Sequence, residues 1–192
     1  MEKIRAFIAI ELSEDIKRSL TQLQHKLKSG CRAPVRWTRP EDTHLTLQFL
    51  GDIDPGLTGQ ITAAMAEAAN GVHPFQLRVS SLGVFPDPGR VRVIWVGLTG
   101  DLEILGNLQK RIESGLTPLG FTPEARSFTP HLTLGRVRDN ARPDERQSLG
   151  LLVAKSAVES ESGLEVNSVH LIKSQLTPQG PIYTIIGSVA LK

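Results

Sequence analysis

The spacing of apolar and polar positions along the chain predicts a mixture of strands and amphipathic helices. Residues 3–11 alternate and then run apolar, which is typical of a strand. After Ser13, isoleucine and leucine recur at helical spacing up to Gly30, so we expect a helix with Ser13 as its N-cap. By the same criteria, further helices begin near Asp54, Asp101 and Pro143, and further strands span 35–38, 43–51, 75–85, 91–98, 130–137, 165–175 and 182–190. Strands joined mostly as hairpins, with helices between them, indicate the α+β class and not a regular parallel α/β alternation.

Composition and charge are those of an ordinary globular protein. Of the 192 residues, 40% are hydrophobic and 22% are charged, and the formal net charge is +2. This apolar content excludes a disordered chain, and no apolar run approaches the roughly 18 residues of a membrane span. The chain shows no linker, no signal-peptide pattern and one cysteine, Cys31. We therefore expect residues 1–192 to form a single domain in the cytoplasm.

A repeated tetrapeptide, His-Leu-Thr-Leu, stands out from this background. It occurs at 44–47 and again at 131–134, each time in a predicted strand. Alternate side chains of a strand share a face, so the His and Thr of each copy point one way and the leucines the other. Strict alternation also assigns Phe49 to the leucine face. The repeat predicts two similar lobes, each of which contributes one strand to a shared cleft.

Two histidines that face each other across a cleft suit the opening of a cyclic phosphodiester. This reaction needs a base that takes a proton from water and an acid that protonates the departing sugar oxygen, on opposite sides of the phosphorus. Because imidazole titrates near about pH 6.5, His44 and His131 can hold these two protonation states at neutral pH. Thr46 and Thr133 would orient the non-bridging phosphate oxygens. The spacing does not say which histidine is the acid.

Other candidate residues carry weaker signals. The sequence has no HExxH motif, carboxylate cluster or Cys/His ligand spacing, so we expect neither a metal nor another cofactor. Asp52 and Asp54 resemble an Asp-x-Asp pair, but the Pro-Gly that follows favours a turn and helix cap. Trp37 and Phe85 could stack on a base, although a core role is more common for strand aromatics. His170 could line the cleft, although a structural role is favoured. The arginines suit phosphate binding but are interleaved with acids that favour a solvated face: Arg32, Arg36, Arg39, Arg126, Arg136, Arg138, Arg142 and Arg146.

The stretches VRWTRPEDTHLTLQFLGD (35–52) and FTPHLTLGRV (128–137) resemble the two-histidine phosphoesterase superfamily. Within it they are most similar to the bacterial and archaeal RNA 2′,3′-cyclic phosphodiesterases, historically called 2′-5′ RNA ligases. The segments RAFIAIEL (5–12) and FPDPGRVRVIWVGL (85–98) fit the same branch, so the resemblance covers essentially the full chain. It implies two pseudo-symmetric lobes of antiparallel sheet with outer helices and an active-site cleft between them.

The resemblance also implies an activity. Members of this branch hydrolyse an RNA-terminal 2′,3′-cyclic phosphate to a 2′-phosphate without a metal, and some join tRNA halves reversibly through a 2′-5′ linkage without ATP. By similarity, His44 would protonate the departing 3′ oxygen and His131 would activate water. Thr46 and Thr133 would bind phosphate, and the protein would act as a monomer.

Arg136 matches a position in this branch that neutralises phosphate charge. Strict alternation places Arg136 on the leucine face, so this assignment requires Gly135 to bend or twist the end of the strand. Two other functions stay open at this point. The chain could act on small cyclic nucleotides or 2′-5′ oligonucleotides, or it could be a module that recognises RNA ends without catalysis.

Overall fold

The computed structural model describes residues 2–125, 127–158, 162–178 and 180–192. Its helices within these residues are α1 (Glu14–Gly30), α2 (Thr58–Ala69), α3 (Leu102–Leu116) and α4 (Pro143–Lys155). Its strands are β1 (Ile4–Glu11), β2 (Val35–Trp37), β3 (His44–Ile53), β4 (Phe75–Phe85), β5 (Val93–Gly100), β6 (His131–Val137), β7 (Gly163–Val166), β8 (Ser168–Thr177) and β9 (Gly180–Ala190). The predicted α+β class is confirmed.

The strands form two antiparallel sheets, one in each lobe. The first sheet has the order β3-β1-β8-β9, and the second has the order β2-β6-β5-β4-β7. Helices α2 and α3 pack on the first sheet, whereas α1 and α4 pack on the second. The predicted bilobal architecture, with outer helices, is therefore confirmed.

The chain passes repeatedly between the two sheets, and one of these passages was not predicted. The single strand expected at 165–175 is two strands in different sheets, because β7 pairs with β4 while β8 pairs with β1 and β9. Only Asn167 separates them. Alternation of apolar residues reports which face of a strand is buried, but it carries no information about which sheet the strand joins.

Local signals at the helix starts behave as the sequence predicts. The Ser13 hydroxyl accepts a hydrogen bond from the Ile16 N–H at 3.3 Å, which caps α1. The Asp54 carboxylate accepts from the Gly56 N–H at 2.8 Å and caps a short 3₁₀ turn, Pro55–Leu57, ahead of α2. Asp54 thus serves in a turn and cap, as expected.

The leucines of the repeat lie in the hydrophobic core. Leu45 and Leu132 are completely buried, and one apolar cluster joins the buried residues of both sheets and all four helices. This burial holds the His/Thr side of each motif strand outward, toward the space between the lobes. No helix within the described residues is long and apolar enough to cross a membrane.

Candidate active site

The two motif strands lie against each other where the lobes meet. Strands β3 and β6 approach to within 8 Å between Cα atoms, although they belong to different sheets. Thr38, just beyond β2, donates its N–H to the carbonyl of Leu134 in β6 at 2.9 Å. The chain then needs only a 3₁₀ turn at Pro40–Asp42 before it enters β3 at His44. This short connection ties the first histidine to the strand of the second.

Both imidazole rings are held by the same backbone contact. Nδ1 of His44 lies 3.1 Å from the carbonyl oxygen of Asp42, and Nδ1 of His131 lies 2.7 Å from that of Thr129. A carbonyl can only accept, so in each case Nδ1 carries the proton and donates it. Nε2 is then the nitrogen left for substrate, as a base in the neutral ring and as an acid in the protonated ring.

Aromatic rings fix the orientation of each imidazole from the side. The His44 ring makes edge-to-face contacts with Tyr183, at 5.0 Å between centroids, and with Phe7, at 5.7 Å. The His131 ring makes the same kind of contact with Phe85 at 5.2 Å and with Trp95 at 6.3 Å. Such contacts hold a ring in one orientation without using its nitrogens. Each histidine is therefore pre-oriented before any ligand arrives.

The electrostatic environment of His44 contains two opposing effects. Burial lowers the pKa of His44 below its ordinary value, and the nearby Glu11 carboxylate opposes this shift. Glu11 lies directly opposite His44 in the β1–β3 register. In the free protein at pH 7 the ring is therefore neutral, and an incoming phosphate anion, which adds to the effect of Glu11, would favour its protonation.

A β-bulge interrupts each motif strand at the same position of the repeat. In β3, Thr46 pairs with Ala9 and Gln48 pairs with Ile8, so Leu47 is the extra residue. In β6, the extra residue is Leu134. A bulge shifts the alternation of side chains by one residue for the rest of the strand.

The two bulges change which face of the sheet Phe49 and Arg136 occupy. The prediction for Phe49 is wrong, whereas Arg136 undergoes the change of face that its proposed role requires. Phe49 is not on the leucine face, as strict alternation predicted; it is 61% exposed, on the side of His44 and Thr46. Arg136 is exposed on the side of His131 and Thr133, while the two residues before it are buried. The change of face that Arg136 requires comes from the bulge at Leu134.

Arg136 also lies near the first sheet. Burial raises the pKa of Tyr183, and the positive charge of Arg136 opposes this rise. Because the Tyr183 ring is 5.0 Å from the His44 ring, Arg136 lies on the side of its sheet that faces the first motif strand. The structure thus places all five predicted site residues on the outward sides of two neighbouring strands: His44 and Thr46 on β3, and His131, Thr133 and Arg136 on β6.

Gln24 is a site-supporting residue that the sequence analysis missed. It is buried on α1, and its Nε2 donates to the carbonyl of Thr38 at 2.6 Å and to that of Leu134 at 3.0 Å. It therefore fixes the bulge that orients Arg136. A second internal repeat in the sequence could have pointed to Gln24. The segments LTQLQ (20–24) and LGNLQ (105–109) each end in a glutamine, and both glutamines are buried.

Several weaker candidates lie away from the site or are occupied by structural contacts. Trp37 is opposite Gly135, on the helix side of its sheet, with Nζ of Lys28 5.5 Å above its ring, and it packs against the core, the role that the sequence favoured. Phe85, in contrast, contacts His131. Burial raises the pKa of the Cys31 thiol, which disfavours a nucleophilic thiolate. Arg126 is outside the described residues.

His170 is a third histidine on the first sheet, and it is largely buried. It is 9% exposed, its Nε2 lies 3.0 Å from the Ser168 hydroxyl, and Nδ1 has no hydrogen-bond partner within the described residues. Burial lowers its pKa. It lies opposite Ala9, two positions along β1 from Glu11, and packs as part of the sheet. Within the described residues, no three His, Cys, Asp or Glu side chains are grouped so as to hold a metal ion.

Comparisons with known proteins identify the family of the chain. A family described as "LigT like Phosphoesterase" matches the chain twice, over residues 10–95 and 98–183, so each match contains one copy of the repeat. The RNA 2′,3′-cyclic phosphodiesterase of Methanothermobacter thermautotrophicus is 36% identical over 182 residues, which cover 95% of this chain and 96% of that protein. The protein of the same name from Aquifex aeolicus is 32% identical over 97% of this chain and 96% of its own length.

Solved structures have the same fold. The structure of TT0787 of Thermus thermophilus superimposes with a TM-score of 0.80 at 25% identity, covering 97% of both chains. The structure of Escherichia coli LigT in complex with 3′-AMP superimposes with a TM-score of 0.77 at 22% identity, covering 100% of this chain and 99% of that one.

Proposed function

The chain belongs to the LigT-like phosphoesterase family, and we propose that it hydrolyses RNA-terminal 2′,3′-cyclic phosphates to 2′-phosphates. The observation that carries the proposal is the matched pair of imidazoles. Each is fixed through Nδ1 by a backbone carbonyl, and each leaves Nε2 for a substrate in the cleft. The names of the relatives add the substrate, an RNA end that bears a cyclic phosphate.

The proposed chemistry divides the two proton transfers between the histidines. Neutral His131 takes a proton from water at Nε2 as the water oxygen attacks phosphorus. The P–O3′ bond breaks, and Nε2–H of His44 protonates the departing O3′, so the product is a 2′-phosphate. Burial lowers the pKa of His44 in the free protein, so in this division the ring takes up its proton when the substrate phosphate binds, and the charge of Glu11, opposite His44, favours that protonated ring. Exchange with solvent then restores both rings.

Three side chains would stabilise the phosphate as negative charge builds up on its oxygens. The hydroxyls of Thr46 and Thr133 donate to non-bridging oxygens from opposite sheets. The guanidinium of Arg136 supplies a full positive charge and two parallel donors. No step requires a metal or another cofactor.

The exposed ring of Phe49 fits the nucleoside part of such a substrate. It lies on the same face as His44 and Thr46, and it packs beside Phe7 at 6.1 Å between centroids. An aromatic face beside a phosphate site can stack on the terminal base whatever its identity. The cleft would thereby accept RNA ends of different sequence, tRNA halves among them.

The same site would support ligation. If the hydroxyl of a second RNA replaces water as the nucleophile, attack on the cyclic phosphate gives a 2′-5′ linkage without ATP. All the residues involved come from one chain, so we propose that residues 1–192 act as a single domain and a monomer, on RNA in the cytoplasm.

The decisive experiment uses a short RNA with a 2′,3′-cyclic phosphate, in the presence of EDTA and without ATP. The wild-type protein should release a 2′-phosphate, and His44→Ala and His131→Ala should each lower the rate by roughly 10²–10⁴-fold. His25→Ala is the matched control, since His25 is exposed on α1. Near wild-type activity in either motif variant would refute the paired mechanism. Tight binding of the RNA without turnover would instead indicate a recognition module.

A comparison of substrates tests the RNA specificity. A cyclic-ended oligonucleotide should be turned over more efficiently than a 2′,3′-cyclic mononucleotide. The opposite order would indicate an enzyme of small cyclic nucleotides. The pH–rate profile should be bell-shaped, with one limb for each histidine.

A further inference from the structure

Arg36 occupies a defined position beside the proposed phosphate site. It lies on the edge strand β2, directly opposite Arg136 of β6. Residues that are directly opposite each other in an antiparallel pair share a face of the sheet, so both guanidinium groups extend from the cleft side. Val93 continues the same row on the other side of Arg136.

Neither Arg36 nor Arg136 forms an ion pair with another residue in the described part of the chain. Other arginines of this lobe are already engaged: Arg39 with Asp42 at 2.6 Å, and Arg146 with the carbonyl of Val91 at 2.7 Å. Like charges directly opposite each other destabilise a sheet, and bound anions would relieve that repulsion.

We propose that Arg36 binds the phosphodiester immediately upstream of the terminal cyclic phosphate, and so selects an RNA strand over a mononucleotide. This inference rests on the proposed function. Arg136 follows the second motif on its own strand and reaches the terminal phosphate, whereas Arg36 lies one strand farther out, about 5 Å away between Cα atoms. RNA carries one anion per nucleotide, and the planar fork of arginine matches the two free oxygens of a phosphodiester.

The test compares three substrates that differ in a single charge. They are 2′,3′-cyclic AMP, the dinucleotide ApA ending in a 2′,3′-cyclic phosphate, and the same dinucleotide with an uncharged methylphosphonate between its nucleosides. The variants are Arg36→Gln, which removes the charge, and Arg36→Lys, which keeps it. Arg78→Gln is the matched control, because Arg78 is also an exposed strand arginine of the second sheet but lies at the far end of β4.

Arg36→Gln should lower kcat/KM for the charged dinucleotide about tenfold more than for the cyclic mononucleotide, as expected for loss of one charge-assisted contact. Arg36→Lys should recover part of that difference, and Arg78→Gln should show none. The wild-type protein should lose a similar factor on the methylphosphonate, and Arg36→Gln should lose nothing further on it. The slope of log KM against log salt for the charged dinucleotide should fall by about 0.7 in Arg36→Gln.

Two outcomes would overturn the inference while leaving the proposed function intact. Equal loss on the mononucleotide and the dinucleotide would mean that Arg36 contacts the terminal phosphate, and no loss on either would mean that it contacts no phosphate. If the wild-type protein turned over none of the substrates, the proposed function would fail. Equilibrium binding of 2′-AMP and of ApA 2′-phosphate would then measure the Arg36 effect, and an unchanged affinity ratio in Arg36→Gln would reject it.

Discussion

The motif strands β3 and β6 begin alike and end differently. Each starts with His-Leu-Thr-Leu, bonds its imidazole to a backbone carbonyl two residues earlier, and bulges at the second leucine. Two residues after the bulge, β3 presents Phe49 and β6 presents Arg136 on the cleft side. The residues that the two strands share, His44 and His131, would thus carry the two proton transfers. The residues that differ would recognise two parts of one nucleotide, with Phe49 contacting the base and Arg136 the phosphate.

The surroundings of the two bulges differ as well. β3 is an edge strand, and the residue after its bulge is the buried Gln48, whose Oε1 has no partner within the described residues. β6 is covered by β2, and the residue after its bulge is Gly135, where a Cβ would lie 2.8 Å from Cγ1 of Val35. A side chain at this position would require the Val35 side chain to shift. The second copy is therefore the more constrained of the two.

Of the substitutions that distinguish the two motif strands, replacement of Arg136 should cause the largest loss of activity. Arg136→Gln should reduce kcat by roughly 10²–10³-fold, because it removes a charged donor that acts on the phosphate in the transition state. Steady-state kinetics on a cyclic-ended RNA measure this change, with Arg78→Gln as the control. A change confined to KM would show that Arg136 contributes binding only.

Replacement of the corresponding residue in the first copy should have a smaller effect of another kind. Phe49→Ala should lower kcat/KM about tenfold, the scale of a lost base-stacking contact, and Phe49→Trp should retain most of the activity. A substrate that lacks its terminal base should not distinguish Phe49→Ala from wild type. Leu151→Ala, which removes an exposed apolar side chain on α4, provides the control. If the base-free substrate were equally sensitive to Phe49→Ala, stacking would be excluded.

Two of the buried glutamines, Gln24 and Gln109, occupy the same position of the helix repeat but differ in their hydrogen bonds. Gln24→Leu leaves the Thr38 carbonyl without its donor, so it should lower the free energy of unfolding by about 1–3 kcal/mol and reduce kcat a few-fold. Gln109 makes no side-chain hydrogen bond within the described residues, so Gln109→Leu should change both quantities less.

A double variant separates positioning from stability. If Gln24 acts by orienting Arg136, then Gln24→Leu should cost little further activity in the Arg136→Gln background. Full additivity of the two losses in kcat would reject this role for Gln24. Urea unfolding of the same proteins measures the accompanying loss of stability.

The smallest expected effect is a pH dependence of stability that arises in the first sheet. Burial lowers the pKa of both His44 and His170, so below about pH 6.5 the unfolded chain binds more protons than the folded one. The free energy of unfolding should therefore fall as the pH drops below about 6.5. Urea unfolding at pH 7.5 and 5.5 measures it, and His170→Asn should flatten the dependence. A steeper dependence in that variant would contradict the sign of the shift.

Most of the site follows from local sequence, and the two residues whose strand face was not predicted, Phe49 and Trp37, have separate causes. Helix α1 with its Ser13 cap, the motif strands, and the exposed faces of His44 and His131 all follow from periodicity. Phe49 was assigned to the wrong face because a bulge leaves no composition signal in the strand that contains it. Trp37 was a stacking candidate because sequence does not distinguish the two faces of a three-residue strand.

The sequence by itself determined the elements, the duplication and the chemistry of the side chains, since these depend on periodicity and residue type along a single stretch of chain. Only the tertiary structure decided which sheet each strand joins, where the register slips, and which side chains meet across the cleft. These features depend on contacts between distant segments: Asn167 divides strands of different sheets, and Gln24 of α1 holds a bulge in β6. A pairing partner sets the register of a strand, and that partner cannot be read from the strand's own residues.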